Sequence, residues 1–247
     1  ELAIDNFVAR NILSSRMKAQ ELNEAMYHLF IMSTRFGTLG CDQLSATPLN
    51  PCIVAAAEIV NQFRAKSKVQ VVNTAFLTDG DSDPMSGVVH GLAHGGWKPR
   101  KYIIQDDITK KSYELPSRKY TSYTFDNNVI TPVLLKILKD RTGCNLMGFF
   151  INSGGFSRVY DRYHAHNAEH HVKCKKSWNE NGFFAVTSAG YDEYYILNAN
   201  TFNVSSGKLA VSSDATKRGI AAAFIKFSEK KTISRVLLSQ IVKRIAA

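Results

Sequence analysis

The stretch VQVVNTAFLTDGDSD (residues 69–83) decides the fold class of this chain. Its first nine residues are almost all apolar or β-branched, which is typical of a strand covered on both faces in a parallel sheet. The strand runs directly into an acidic turn that holds Asp79, Asp81 and Asp83. Asp and Gly end strands and form turns, but gathered carboxylates are also the ligands that hard cations prefer. From this stretch alone, a plain turn and a metal site are both open.

Composition narrows the class of protein. The chain has 247 residues, 45% of them apolar, and no apolar run of the roughly 20 residues that a membrane span needs. The N-terminus lacks the pattern of a signal peptide, and four cysteines without paired spacing indicate a reduced protein. The net charge of +10 favours acidic partners, nucleic acid among them, although the basic residues are scattered in short groups.

The order of predicted elements gives the architecture. The elements are a helix or helix pair over 5–35, a helix over 51–67 capped by Asn50, a strand over 69–77, a hairpin over 101–115, a helix over 131–143, a strand over 144–151, a helical segment over 156–178, a strand over 182–197 that is interrupted at Ser188–Gly190, and a final helix over 230–247. Such alternation predicts an α/β layered sandwich with a mainly parallel sheet. Ligands of these sheets bind beyond the carboxyl ends of the strands, where Asp79 lies.

A second oxygen ligand is expected near Asp79. Thr47 precedes the helix that leads into the 69–77 strand. In a right-handed crossover, the loop before that helix lies at the edge of the sheet where ligands bind. The Thr47 hydroxyl and the Asp79 carboxylate are therefore predicted to share one hard cation such as Mg²⁺. Taken singly, Thr47 is equally explained as a capping residue and Asp79 as a turn residue.

The segment ATPLNPCIVAAAEIVNQFRAKSKVQVVNTAFLTDGDSD (46–83) resembles the second half of a von Willebrand factor type A (VWA) domain, in the CobT-like branch that pairs with MoxR-type ATPases. Three further segments, LKDRTGCNLMGFFI, GYDEYYIL and RVLLSQIVKRIA, resemble large proteins of tailed bacteriophages. The resemblance implies a Rossmann-like, three-layer VWA fold. One domain over 1–247 is then expected, with insertions at about 84–130 and 156–178.

The resemblance also implies a metal-ion-dependent adhesion site. The family builds it from an Asp-x-Ser-x-Ser loop, a Thr and an Asp, and the last two match Thr47 and Asp79. No Asp-x-Ser-x-Ser occurs in these 247 residues, so the first strand with that loop is expected upstream of Glu1. Ser45, Asp81 and Asp83 are expected around the ion without binding it directly. The ion is Mg²⁺, with Mn²⁺ or Ca²⁺ as alternatives.

By the resemblance, the expected function is metal-dependent protein binding rather than catalysis. An Asp or Glu of a partner would complete the coordination of the ion, and the expected partner is a MoxR- or CobS-like AAA+ ATPase in a phage-infected host. The expected location is the host cytoplasm or the virion, with no membrane. One alternative is a structural component of a phage virion. Another is a peptidase, a label that some relatives carry, although no nucleophile with a partnered base stands out in the sequence.

A second group of candidate ligands lies in YHAHNAEHHVKC (163–174). His166, His170 and Cys174 recur at intervals of four, so one helical face can present all three, and imidazole and thiolate suit zinc. Neither CxxC nor HExxH is present. An exposed polar helix is the alternative for this segment, and it is the preferred one.

Overall fold

A computed structural model describes residues 9–34, 47–79, 82, 102–115, 127–163, 168–186 and 190–202. Its elements are α1 (Ala19–Thr34), α2 (Leu49–Ser67), β1 (Asn73–Thr78), β2 (Tyr102–Gln105), β3 (Ser112–Leu115), α3 (Asn127–Thr142), β4 (Asn145–Asn152), α4 (Phe156–Tyr163), α5 (Ala168–Asn181), β5 (Phe183–Val186), β6 (Glu193–Asn198) and a 3₁₀ turn (Ala199–Phe202). The fold is mixed α/β with a mostly parallel four-stranded sheet, as the sequence predicts. The final helix predicted over 230–247 lies outside the described residues.

The chain divides into two compact units. Unit 1 consists of Glu1–Ser67 and Asp81–Thr142, and unit 2 of Lys68–Gly80 and Gly143–Ala247. Unit 1 therefore holds α1, α2, α3 and the β2–β3 hairpin, whereas unit 2 holds the four-stranded sheet with α4 and α5. The prediction of one domain with two insertions stays a prediction.

In unit 1, α2 packs against α3. The spacing of apolar residues in the sequence predicts one buried face for this helix, made of Ile53, Ala56, Ala57, Val60 and Phe63. The first four of these residues are buried. Phe63 was expected on the same face, but it is 49% exposed, so the prediction is wrong for this residue. Apolar spacing identifies the face of a helix, but it does not say how far along the helix its partner extends.

The predicted hairpin is confirmed, and a buried carboxylate ties it to α3. β2 and β3 pair in antiparallel fashion around a turn in which Lys110 has a φ of 59°. Asp106 accepts hydrogen bonds from the backbone N–H of Thr109 at 3.1 Å and from Arg141 Nε at 3.0 Å. The Arg141 guanidinium and the other donors hold the pKa of Asp106 well below its usual range. The ion pair therefore fixes the turn to the last turn of α3.

In unit 2, the strand order is β1-β4-β6-β5. β1, β4 and β6 run parallel, and β5 pairs with β6 in antiparallel fashion. The strand predicted over 182–197 with an interruption at Ser188–Gly190 is thus two separate strands, β5 and β6, which pair with each other. α4 and α5 cover one face of the sheet, where Phe150, Phe184 and Ile196 pack against Phe156 and Trp178. A second cluster, which includes Phe149 and Tyr195, lies on the opposite face.

The description of 69–77 as a strand covered on both faces is wrong in two respects. β1 begins only at Asn73, and half-buried and exposed positions alternate along most of it. Leu77 is 62% exposed. Its β4 partner Phe149 is buried, so the exposure belongs to β1 and not to the whole sheet. Within the described residues, β1 is an edge strand, which explains why its apolar sequence is not matched by burial.

Gly148 in the centre of β4 makes room for two aromatic rings. Tyr191 and Tyr194 are stacked, with ring centroids 4.9 Å apart and an interplanar angle of 5°. A Cβ at position 148 would overlap Tyr194 and would lie 2.9 Å from Tyr191 Cε2. The absence of a side chain at Gly148 is therefore required for this packing.

Among the helices of the described residues, none is long and apolar enough to cross a membrane.

We expect Gly148→Ala to destabilise the protein by about 2 kcal/mol, because an overpacked core moves side chains off their preferred rotamers. Gly155→Ala is the matched control, since a Cβ there meets nothing within 4 Å. Urea unfolding of both variants measures the difference. Equal stability of the two variants would show that the tyrosine stack moves aside without cost.

We expect Asp106→Asn to destabilise the protein by about 3 kcal/mol at neutral pH, because it leaves the partly buried Arg141 without its counter-ion. The exposed neighbour gives the control Asp107→Asn. Since folding lowers the pKa of Asp106, its charge stabilises the fold above the unfolded pKa of about 3.9, and the contribution is lost as pH falls further. The gap between wild type and Asp106→Asn in urea unfolding should therefore narrow below about pH 4. A gap that stays constant down to acid pH would contradict the ionic explanation.

Candidate functional site

The start of α2 follows from two prolines. Pro48 has no side-chain acceptor, and its carbonyl accepts the first helical hydrogen bond, from Cys52 N–H at 3.0 Å. Pro51 lies in the first turn, where a residue without an N–H is tolerated. Asn50 is the second helical residue and not the cap that the sequence predicts. The reason is that the helix starts two residues before Pro51, at Leu49.

The acceptor for the backbone N–H of Asn50 comes from the acidic loop. Asn50 N–H donates to Ser82 Oγ at 2.9 Å, across 32 positions of the chain. Ser82 is only 3% exposed, and Asn50 is fully buried. In most helices, the side chain of the residue just before the helix accepts the hydrogen bond from this N–H. Here Pro48 cannot do so, and the loop that contains TDGDSD supplies the hydroxyl.

A third side chain extends this network to α3. The hydroxyl of Thr131 donates to Asn50 Oδ1 at 2.6 Å. One buried asparagine therefore connects the start of α2, the acidic loop and the first turns of α3. The network lies wholly within unit 1.

The structure places the predicted metal ligands in different units. Thr47 is half-buried in unit 1, two residues before α2, and its carbonyl accepts a hydrogen bond from Leu49 N–H at 2.8 Å. Asp79 belongs to unit 2, is exposed and follows β1 directly. Ser45, Asp81 and Asp83 lie outside the described residues. The convergence of Thr47 and Asp79 on one ion therefore stays a prediction.

No metal centre of the usual donors is complete in the described ranges. There, no three His, Cys, Asp or Glu side chains come together as ligands.

Sequence reasoning missed one polar side chain at the carboxyl edge of the sheet in unit 2. β1 ends at Thr78, which pairs with Phe150, so β4 extends two residues further to Asn152. Asn152 pairs in turn with Asn198, the last residue of β6. The amide of Asn152 donates to the Gly154 carbonyl at 2.8 Å, which leaves the amide oxygen as the acceptor. A polar residue at the end of a buried strand is the available signal, but the Gly-rich sequence NSGGF (152–156) by itself predicts only a turn after the strand.

The histidine-rich segment is not the exposed polar helix that the sequence favours. It forms α5 and contributes to the core, where Cys174 and Trp178 are buried. His170 Nδ1 lies 3.1 Å from Tyr160 Oη and 3.6 Å from Cys174 Sγ. His166, the third residue of the predicted zinc set, lies outside the described residues. The structure thus brings His170 and Cys174 together and adds Tyr160, which sequence spacing alone did not indicate.

Burial raises the pKa of the Cys174 thiol above its usual value. A neutral thiol is a poor nucleophile, since thiolate is the reactive form.

Comparison with known proteins identifies no relative. No family model matches the chain, and neither a curated protein nor a solved structure shows significant similarity to it. Function is therefore inferred from the residues and their geometry.

We expect Ser82→Ala to destabilise the protein by about 2 kcal/mol, because it leaves the buried N–H of Asn50 without its acceptor. Ser112→Ala, at an exposed position of β3, is the control and should change stability little. Chemical unfolding measures the difference. Amide hydrogen exchange at Asn50 gives a local readout, and it should be faster in Ser82→Ala alone. Unchanged exchange at Asn50 would contradict the long-range cap.

Proposed function

We propose that this protein is a metal-dependent protein-binding module of the VWA type. A hard cation, Mg²⁺, is held by oxygen ligands that include the Thr47 hydroxyl and the Asp79 carboxylate. The ion keeps one coordination position for an Asp or Glu of a partner protein. The proposed partner is a MoxR- or CobS-like AAA+ ATPase, and the module acts as its adaptor in a phage-infected bacterium.

The observation that carries the proposal is the bond between Asn50 and Ser82. Ser82 lies three residues after Asp79, and Asn50 lies three residues after Thr47. Three residues span at most about 11 Å even when fully extended. The hydrogen bond therefore holds Ser82, which follows Asp79 in the chain, at the start of the helix that follows Thr47, by a contact within unit 1 that is independent of any ion.

The sheet supports the proposal at a coarser level. Asp79 follows a strand of a mostly parallel sheet, at the edge where α/β folds bind ligands. Asn152 ends the neighbouring strand and offers a further oxygen at the same edge. Carboxylate, hydroxyl and amide oxygens are the donors that Mg²⁺ and Ca²⁺ select. Softer metals prefer sulfur and nitrogen.

We expect Mg²⁺ to stabilise the full chain, by about 2.7 kcal/mol at a concentration near 100 times its Kd. Asp79→Asn and Thr47→Ala should abolish this increase in unfolding free energy. Asp79→Asn should do so without changing the stability of the metal-free protein by more than about 0.5 kcal/mol, since Asp79 is exposed. Asp107→Asn removes a carboxylate elsewhere and should keep the full response.

Partner binding gives the second arm of the test. Binding of the ATPase should require Mg²⁺ and should be lost in Asp79→Asn but kept in Asp107→Asn. If the Asp79→Asn variant is still stabilised by Mg²⁺, Asp79 is not a ligand of the ion. If the ATPase binds equally well after a chelator has removed Mg²⁺, the result would favour a structural role for the fold in the virion.

A further inference from the structure

Three short basic groups that lie far apart in the sequence meet at one end of unit 1. The last turns of α2 and α3 are neighbours there, because the Arg64 guanidinium donates to the carbonyl of Thr142. The turn of the β2–β3 hairpin lies at the same end, because Asp106 pairs with Arg141 in the last turn of α3. We call this surface the basic end, and its exposed lysines are Lys66, Lys110, Lys111, Lys136 and Lys139.

Two of the three carboxylates in this region are bound by neighbouring side chains. Asp106 is only 2% exposed and is enclosed by its donors. Asp140 accepts a hydrogen bond from Tyr113 Oη at 2.7 Å and pairs with Lys111 Nζ at 3.1 Å. Asp107, in the hairpin turn, is exposed. The charge that the basic end presents to solvent therefore comes mainly from its lysines.

The junction between the hairpin and α3 positions two of these lysines. The Lys136 ammonium lies over the ring of Tyr113, 5.7 Å from its centroid, and Tyr113 itself is buried. Such a cation–π contact holds the side chain in one direction. Lys111 is held from the other side of the junction by its ion pair with Asp140. Side chains that are ordered before binding lose less entropy when a partner binds them.

The type of basic residue distinguishes between two classes of acidic partner. Protein–protein interfaces are depleted in lysine and enriched in arginine and aromatic residues. Lysine is well suited to the phosphates of nucleic acids, which it contacts as a point charge. Arg64 and Arg141, which belong to the same region, bind Thr142 and Asp106 inside unit 1. They therefore do not supply the bidentate contact by which an arginine reads guanine.

We propose that the basic end of unit 1 binds the phosphate backbone of nucleic acid without reading its sequence. The exposed lysines neutralise phosphates and release the counterions that had surrounded them, which drives binding at low salt. The net charge of +10 on the whole chain attracts the same partner over a longer range. This proposal does not depend on the Mg²⁺ site, since none of these lysines is a proposed ligand of that ion.

Salt dependence of binding tests the proposal, because it counts the phosphates that the protein neutralises. The full chain is titrated with a short labelled DNA duplex and with a short single-stranded RNA, in a buffer that contains a chelator. Fluorescence anisotropy gives the affinity at each salt concentration. With about four phosphate contacts, the affinity for the duplex should fall about 150-fold between about 50 and 200 mM NaCl, and the affinity for the RNA about 50-fold. Comparison of the two probes shows which nucleic acid is preferred.

The test variant replaces three exposed lysines of the basic end: Lys66→Gln, Lys110→Gln and Lys136→Gln. It keeps about one phosphate contact, so its affinity for the duplex should fall only about 4-fold over the same range of salt. The control variant removes the same charge from exposed positions of α5: Lys173→Gln, Lys175→Gln and Lys176→Gln. It should keep the 150-fold salt dependence of about four contacts. Circular dichroism checks that both variants fold.

Amide hydrogen exchange of the wild-type chain locates the bound nucleic acid without any variant. The preferred probe should slow exchange in the hairpin turn over 106–111 and leave α5 unchanged. The proposal is overturned if neither nucleic acid binds at low salt, or if protection appears only outside the basic end. Equal salt dependence of the two variants would also overturn it, because the charge of the whole chain would then explain binding. Binding of poly-glutamate but of neither nucleic acid would assign the surface to an acidic protein instead.

Discussion

A hydrogen bond that α2 cannot supply from its own sequence organises the first unit. Helix starts leave N–H groups without partners, and a side chain just before the helix usually accepts one of them. Pro48 has no side-chain acceptor, and Pro51 has no N–H that needs one. The N–H of Asn50 does need an acceptor, and the hydroxyl of Ser82 provides it. Because Asn50 is fully buried, leaving this group unsatisfied would cost the fold directly. Ser82 is therefore held at the start of α2 by a hydrogen bond that the helix itself requires, independently of any ligand.

This arrangement also shows what the sequence can and cannot predict. The existence of α2 and most of its buried face follow from spacing, and the stop of α3 follows from Gly143, which has a φ of 62°. The start of α2 was predicted two residues late, because local rules assign the cap to a neighbour and the true acceptor is 32 positions away. In the same way, turn residues predict the hairpin, but nothing local predicts that Asp106 pairs with Arg141, since that pair depends on how α3 packs.

Burial of β1 illustrates a different limit. Its run of apolar residues resembles that of the buried strand β4, yet Leu77 is largely exposed whereas its partner Phe149 is buried. The sequence of a strand shows which of its side chains are apolar enough to be buried. The position of the strand in the sheet determines which of them are buried in the fold. The candidate metal ligands share this limit. Asp79 is recognisable in the sequence as a residue at a strand end, whereas its role as a metal ligand stays a prediction.

Chemical hardness offers a way to reason about the proposed magnesium site without its full geometry. The ligands proposed there, the Thr47 hydroxyl and the Asp79 carboxylate, are oxygen donors, which are the donors that Mg²⁺ and Ca²⁺ prefer. Softer metals gain more from sulfur and nitrogen than from oxygen. The identity of the donors therefore favours a hard cation over a soft one at this proposed site, whatever further oxygen ligands complete it.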